Sequence, residues 1–201
     1  KLTVVGKMIP TSNPYHRIET AKYDGFTSGE AGQCRHCAGM AIAFKTDSDY
    51  IGIDVKYSKI TSRSDRGISG FDLYIRKGGQ WIWAGNNVPS KGNPNEFITL
   101  PLLPHSIEGW KECLLYLPLQ SVVSELQIVT DEESRVLPID NPFKGRIVVF
   151  GSSYTHGASA ERPALTYSAQ LSRMTGYQFI NMGFCGNSKL QPYFADALLD
   201  A

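Results

Sequence analysis

Ile147-Val148-Val149-Phe150 followed at once by Gly151-Ser152-Ser153-Tyr154-Thr155-His156-Gly157 reads as an apolar strand that ends in a turn and delivers a serine to the start of a helix. Backbone N–H groups at such a turn have no intrahelical acceptor, and the helix dipole favours negative charge there. An oxyanion would be stabilised at that point, so the turn suits the nucleophile of a hydrolase. The same Gly-Ser-Ser is also ordinary loop and N-cap chemistry, and the local pattern leaves both readings open.

Downstream, the pattern alternates strand and helix. Arg146 to Phe150 has the unbroken apolar character of a strand covered on both faces of a parallel sheet. Pro163 suits a helix start, where its missing N–H is harmless, and Ala164, Tyr167, Leu171 and Met174 share one face of that helix. Gly176 closes it, Gln178 to Phe184 forms the next strand, and Pro192 opens a second helix. This is βαβα, the front of a parallel α/β sheet.

Upstream, to about residue 137, short β-type segments follow one another between Gly, Pro, Asn and Ser turns, with little helical periodicity. Strands are expected at 40–45, 50–57, 71–76, 80–84, 97–103, 112–119 and 124–129, with Lys77-Gly78-Gly79 turning a hairpin. Strands at that spacing suggest an antiparallel sandwich. Pro138-Ile139-Asp140-Asn141-Pro142 marks the change of texture. The expected organisation is a β-sandwich over 1–138 and an α/β portion over 139–201. An independent doubly wound sheet takes on the order of 100 residues or more, so the α/β portion is expected to be incomplete, with the chain stopping in mid-helix.

Composition narrows the function. Among 201 residues, 20 basic and 19 acidic side chains give a net charge of +1, and no basic cluster interleaved with aromatics marks a nucleic-acid partner. No apolar run is long enough to span a membrane, and no signal-peptide core is visible. Four cysteines are too few for a disulfide scaffold. Cys34-Arg35-His36-Cys37 lacks the second ligand pair that tetrahedral zinc needs, so a loop, with an incidental disulfide open to it, is the plainer reading. Tyr74, Trp81, Trp83 and Phe97 alternate along strands and are expected mainly in the sandwich core, a sugar-stacking face being the alternative.

The serine turn resembles the first block of the SGNH/GDSL hydrolases, Gly-Asp-Ser-x-Thr-x-Gly, with Ser152 in place of the Asp and Ser153 at the nucleophile. Asn181-Met182-Gly183-Phe184-Cys185-Gly186-Asn187 resembles the second block, whose glycine N–H helps to form the oxyanion hole; register selects Gly186, with Gly183 second. Glu161-Arg162-Pro163 with Tyr167 is similar to the Ser-Arg-Pro-Gly-x-x-Tyr stretch of one bacterial branch. Gly70-Phe71-Asp72-Leu73-Tyr74 matches the Gly-x-Asp-Leu-Tyr mark of that branch's accessory domain. The resemblance therefore covers essentially the whole chain.

The resemblance implies a three-layer α/β/α hydrolase domain and a secreted or periplasmic serine esterase removing acetyl or similar groups from carbohydrate. Ser153 would be the nucleophile, with the N–H groups of Ser153 and Gly186 as the oxyanion hole. Gly151, Ser152, Asn187 and Arg162 would support them, Arg162 bracing its loop. No metal or organic cofactor is implied, and the partner is a small-molecule or glycan ester. An unactivated serine needs a base, yet the family's third block and its Asp-x-x-His block do not occur before Ala201, so the 201 residues alone are expected to be inactive. His156 is expected along the helix surface rather than against Ser153, and His16, His36 and His105 at surface or packing positions. The competing reading is a glycan- or partner-binding sandwich attached to a non-catalytic α/β fragment.

Overall fold

A computed structural model describes residues 2–103 and 106–201; His105 lies outside the described residues. Its strands are β1 (Thr3–Val5), β2 (Ala41–Thr46), β3 (Ile51–Lys59), β4 (Phe71–Lys77), β5 (Gln80–Asn87), β6 (Ile98–Pro101), β7 (Lys111–Tyr116), β8 (Val122–Thr130), β9 (Val136–Pro138), β10 (Lys144–Gly151) and β11 (Tyr177–Gly183). The helices are α1 (Ser28–Cys34), α2 (Arg66–Ser69), α3 (Ser153–His156), α4 (Tyr167–Thr175) and α5 (Pro192–Leu199).

The β half is an antiparallel sandwich. One sheet runs β1-β2-β7-β4-β5, with β9 also pairing β2; the other runs β6-β3-β8. The β4–β5 hairpin turns on Gly78 and Gly79, with φ of 57° and 81°, as a two-residue loop between Lys77 and Gln80 requires. Ile42, Phe44, Ile53, Tyr57, Phe71, Leu73 and Leu115 fill the space between the sheets, each large side chain worth roughly 2–3 kcal/mol in removed apolar surface.

The larger sheet is buried on its outer face as well. The alternate residues Ala41 and Ala43 of β2, Tyr74 of β4, and Leu114 and Tyr116 of β7 pack there against Ala164, Ala169 and Phe143. The two alanines leave room for α4 to lie close. Tyr74 therefore serves this second core, while Trp83 and Phe97 are 48% and 41% exposed. The expected aromatic core does not form, because its members divide between the outer face and the surface.

The α/β half pairs β10 and β11 in parallel, Gly151 opposite Gly183, with α3 and α4 in the crossover. Within these 201 residues Ile147 is 40% exposed and the rest of β10 is exposed or half-buried. Among the described residues β10 has a strand neighbour on one edge only. The helix expected from Pro163 is a short 3-10 turn, Pro163–Leu165, and α4 starts afresh behind Thr166, whose side chain caps the Ala169 N–H. That restart rotates the buried face onto Ser168, Ala169 and Ser172, leaving Tyr167 and Met174 exposed. Gly176 closes α4 in the left-handed region, and α5 ends at Leu199, short of the last residue.

The N-terminal segment departs most from expectation. α1 has almost no apolar periodicity, and its start is fixed by a capping box in which Thr27 and Glu30 satisfy each other's N–H groups. Met8, Ile9, Ile18 and Cys34 then pack against Ile180, Met182, Phe184 and Phe194. Glu30, 2% exposed, also accepts from Gln191 (2.7 Å) and from the Tyr193 hydroxyl (2.8 Å), latching α1 to α5.

Asp72 of the Gly-x-Asp-Leu-Tyr segment, fully buried, joins the sandwich to the α/β half. It accepts from Arg162 Nη1 at 2.9 Å and from the Ala164 N–H at 3.3 Å. Burial pushes its carboxyl up to about 6 against the opposing pull of Arg162, so the pair is charged at neutral pH. Asp72→Ala strands a guanidinium and a buried N–H, and should lower stability by about 3 kcal/mol in urea unfolding; a loss under about 1 kcal/mol would show that this tie carries little.

Candidate active site

The parallel register sets the geometry. Because Gly151 faces Gly183 and the Phe184 N–H donates to the Gly151 carbonyl at 2.9 Å, the turns that follow β10 and β11 leave the sheet side by side at its carboxyl end. Close approach is enforced by glycine. A Cβ on Gly183 would lie 2.0 Å from the His156 nitrogen, and one on Gly151 would lie 2.2 Å from Thr155 Oγ1.

Ser153 is the first residue of α3, so its N–H has no intrahelical acceptor. Its side chain is half-buried, and no described residue hydrogen-bonds to Oγ. Ser152 occupies the N-cap without a side-chain cap. α3 is a single turn ended by Gly157 at φ 100°, so the free N–H groups matter here more than a helix dipole. In the neighbouring turn, the Asn187 N–H donates to the Phe184 carbonyl at 3.1 Å and its amide to the Cys185 carbonyl at 3.0 Å. Gly186, exposed between them, adopts φ 71°. The Gly186 N–H has no acceptor among the described residues. The Gly183 N–H is taken by Asn181 Oδ1 at 3.0 Å, which removes the second-ranked glycine as a free donor.

Beneath this pair of turns lies a buried polar web. Asn181 Nδ2 donates to the Thr155 carbonyl (2.5 Å) and to Ser168 (3.2 Å), joining β11 to α3 and α4. Arg17, 2% exposed, donates to the carbonyls of Gly183 (2.8 Å), Asn181 (3.2 Å) and Gln33 (2.9 Å) and lies over the Phe184 ring. Burial pushes its guanidinium down to about 10. Gln33 holds the Cys185 carbonyl at 2.8 Å. Sequence spacing gave no sign of Arg17 or Gln33: both come from an irregular stretch and a poorly patterned helix.

His156 is fully buried, not on the helix surface. Its Nδ1 accepts from the Cys185 N–H at 3.4 Å, so Nε2 carries the proton and donates to the Leu119 carbonyl at 2.9 Å. His36 Nδ1 lies 3.3 Å from the same Nε2. His156 thus braces the second turn rather than facing Ser153. Cys34, Cys37 and Cys113 are buried free thiols, pushed up to about 12 by desolvation. No disulfide joins Cys34 to Cys37, because each thiol sits in its own packed environment. Among the described residues, no group of three or more His, Cys, Asp or Glu is placed to hold a metal ion. Arg162 stacks over Trp83, 4.8 Å from the ring centroid, while paired to Asp72.

Residues 1–136 match the family defined as the GxDLY N-terminus of SGNH-hydrolase-type esterases. The chain belongs to that family. Residues 144–201 match the GDSL-like lipase/acylhydrolase family in addition. Among solved structures, this SGNH-type chain is similar to a Bacteroides ovatus protein assigned as a GDSL-like lipase, at 37% identity and TM-score 0.90, over 99% of this chain and 59% of that one. It shares its fold with the salicylyl-acyltransferase SsfX3 of a tetracycline biosynthetic pathway (20% identity, TM-score 0.69, 96% of this chain and 55% of that one). A family two carbohydrate esterase from Clostridium thermocellum, solved with cellohexaose, is more distant (14%, TM-score 0.52, 80% and 53%). The chain thus spans between half and three fifths of these proteins. No curated protein matches it. No described helix is long and apolar enough to cross a membrane.

Burial holds His36 down to about 3 and His156 to about 2, with the charge of Arg17 adding to both. Below pH 6.5 the unfolded chain takes up these protons and the folded chain does not. Stability should therefore fall as pH drops from about 6.5 towards 3, by about 1.4 kcal/mol per pH unit for each ring. Urea midpoints at pH 7, 6 and 5 should show a shallower decline in His36→Gln than in the wild type; parallel declines would mean that His36 titrates normally in the folded protein.

Proposed function

We propose that the complete protein is an SGNH-type serine esterase that removes acetyl or related acyl groups from carbohydrate, exported to act on it. The reading is carried by the pairing of Gly151 with Gly183, which sets the Ser153 turn beside the Gly186 turn. In this proposal Ser153 Oγ attacks the acyl carbon, and the carbonyl oxygen becomes an oxyanion held by the N–H groups of Ser153 and Gly186. Each such donor is worth about 3 kcal/mol of barrier. Collapse of the tetrahedral intermediate releases the sugar hydroxyl and leaves an acyl-serine, which water clears.

Gly151 and Ser152 shape the approach to the nucleophile, Asn187 fixes the second turn, and Arg162 braces the loop that follows α3. The proton of Ser153 goes to a base that is none of His16, His36 and His156: the last two are committed to packing contacts, and His16 lies among Lys7, Glu19 and Arg35 of the N-terminal segment. In our reading that base, with its Asp and a further oxyanion donor, comes from residues outside these 201, which by themselves do not turn over. The carbohydrate substrate is consistent with the distant fold likeness to a carbohydrate esterase.

The complete protein should hydrolyse p-nitrophenyl acetate, and Ser153→Ala should reduce kcat by at least about 10³-fold with the fold intact by circular dichroism. Unchanged turnover in Ser153→Ala would exclude this nucleophile.

A further inference from the structure

A cleft of about 660 Å³ opens where the sandwich meets the loop that leaves α3, lined among others by Asp65, Arg66, Trp83, Asn86, Glu161 and Arg162. A second concavity of about 400 Å³ shares Arg66, Trp83 and Asn86 with it and continues to the end of β6 at Pro101. The two form one groove passing Trp83.

From this groove we infer that the sandwich and the loop after Ser153 together bind a neutral oligosaccharide, with Trp83 as the platform for one sugar ring. Trp83 is 48% exposed yet restrained: Arg162 lies over its ring, 4.8 Å from the centroid, and is itself held by the buried Asp72. An aromatic plane that is open to solvent and already immobilised stacks on a sugar at little entropic cost. Around it stand polar groups that the fold leaves unused. The side chains of Asn86, Arg66 and Glu161 make no hydrogen bond to any described residue, so an amide, a guanidinium and a carboxylate are available to donate to and accept from hydroxyl groups.

The lining also says what the ligand is not. Asp65 and Glu161 offset Arg66 and Arg162, and Arg162 is already paired, so the groove has no surplus positive charge for a phosphate or an acidic polymer. The wall is built rather than accidental. A Cβ on Gly67 of α2 would lie 2.0 Å from the Ala160 carbonyl oxygen, so a glycine there lets α2 support the loop that carries Ser159, itself held at φ 66°. This inference deepens the proposed carbohydrate-ester reading and rests on it for the substrate's class, giving the sandwich a direct part in holding the sugar.

The 201-residue chain itself can be titrated with cellohexaose, xylohexaose and mannohexaose, with polygalacturonate as the charged comparison, by tryptophan fluorescence and calorimetry. At least one neutral hexasaccharide should bind, and Trp83→Ala and Asn86→Ala should each weaken it about tenfold. Trp110→Ala removes an equally exposed indole that is held instead between Lys45 and Arg135, and should leave binding unchanged. If Trp83→Ala fails to fold, Asn86→Ala decides, since its amide has no partner to lose. The inference is overturned by no binding of any neutral hexasaccharide, by preference for polygalacturonate, or by losses as large in Trp110→Ala. Binding without ester hydrolysis by the complete protein would remove the esterase reading and leave the groove standing; hydrolysis without binding would do the reverse.

Discussion

Asp72 is a carboxylate withdrawn completely from water, and the structure tolerates it because each of its oxygens meets a donor, the Arg162 guanidinium on one and the Ala164 N–H on the other. An isolated buried charge would cost several kcal/mol, so these donors are obligatory companions. The constraint fixes more than a local contact. It anchors the 3-10 turn before α4, sets the path of the loop between α3 and that turn, and holds the one strongly exposed indole on the edge strand β5. The outer face of the larger sheet then closes on α4 with its small side chains.

Much of the fold was legible because it is written in local patterns. Gly78-Gly79 can turn the β4–β5 hairpin, Gly176 can close α4, and the strand periods through the sandwich have few competing readings. What escaped depends on tertiary context. α1 carries too few apolar residues for a periodic signal, although the Thr27-to-Glu30 capping box was present in the sequence. The buried face of α4 was misassigned because Pro163 starts a separate 3-10 turn and Thr166 resets the phase of the helix behind it.

The candidate site divides in the same way. The two turns were readable because glycine and serine at fixed spacing after apolar strands leave few conformations, and the contacts a Cβ would make at Gly151 and Gly183 show why those positions are glycine. The support beneath them was not readable. Arg17 contacts β11 across more than 160 residues of sequence, and a lone arginine in an irregular stretch carries no periodicity. His156 sat inside the recognised block, yet its burial and its bond to the Cys185 N–H depend on a carbonyl at Leu119 and a ring at His36 that no local pattern could supply.

That distance along the chain has a consequence for how the molecule assembles. The bonds that shape the second turn and latch its neighbouring helix, from Gln33 to Cys185, from Arg17 to Gly183 and from Glu30 to Tyr193, span sequence separations of 152 to 166 residues. Contacts of such high order close large loops and form slowly. During synthesis the N-terminal segment therefore waits, unable to take its final place until residues 183–193 have been made, while the sandwich hairpins already have their partners. The polar web under the paired turns is a late product of folding, and an error there would leave a protein with a sound sandwich and an unfinished site.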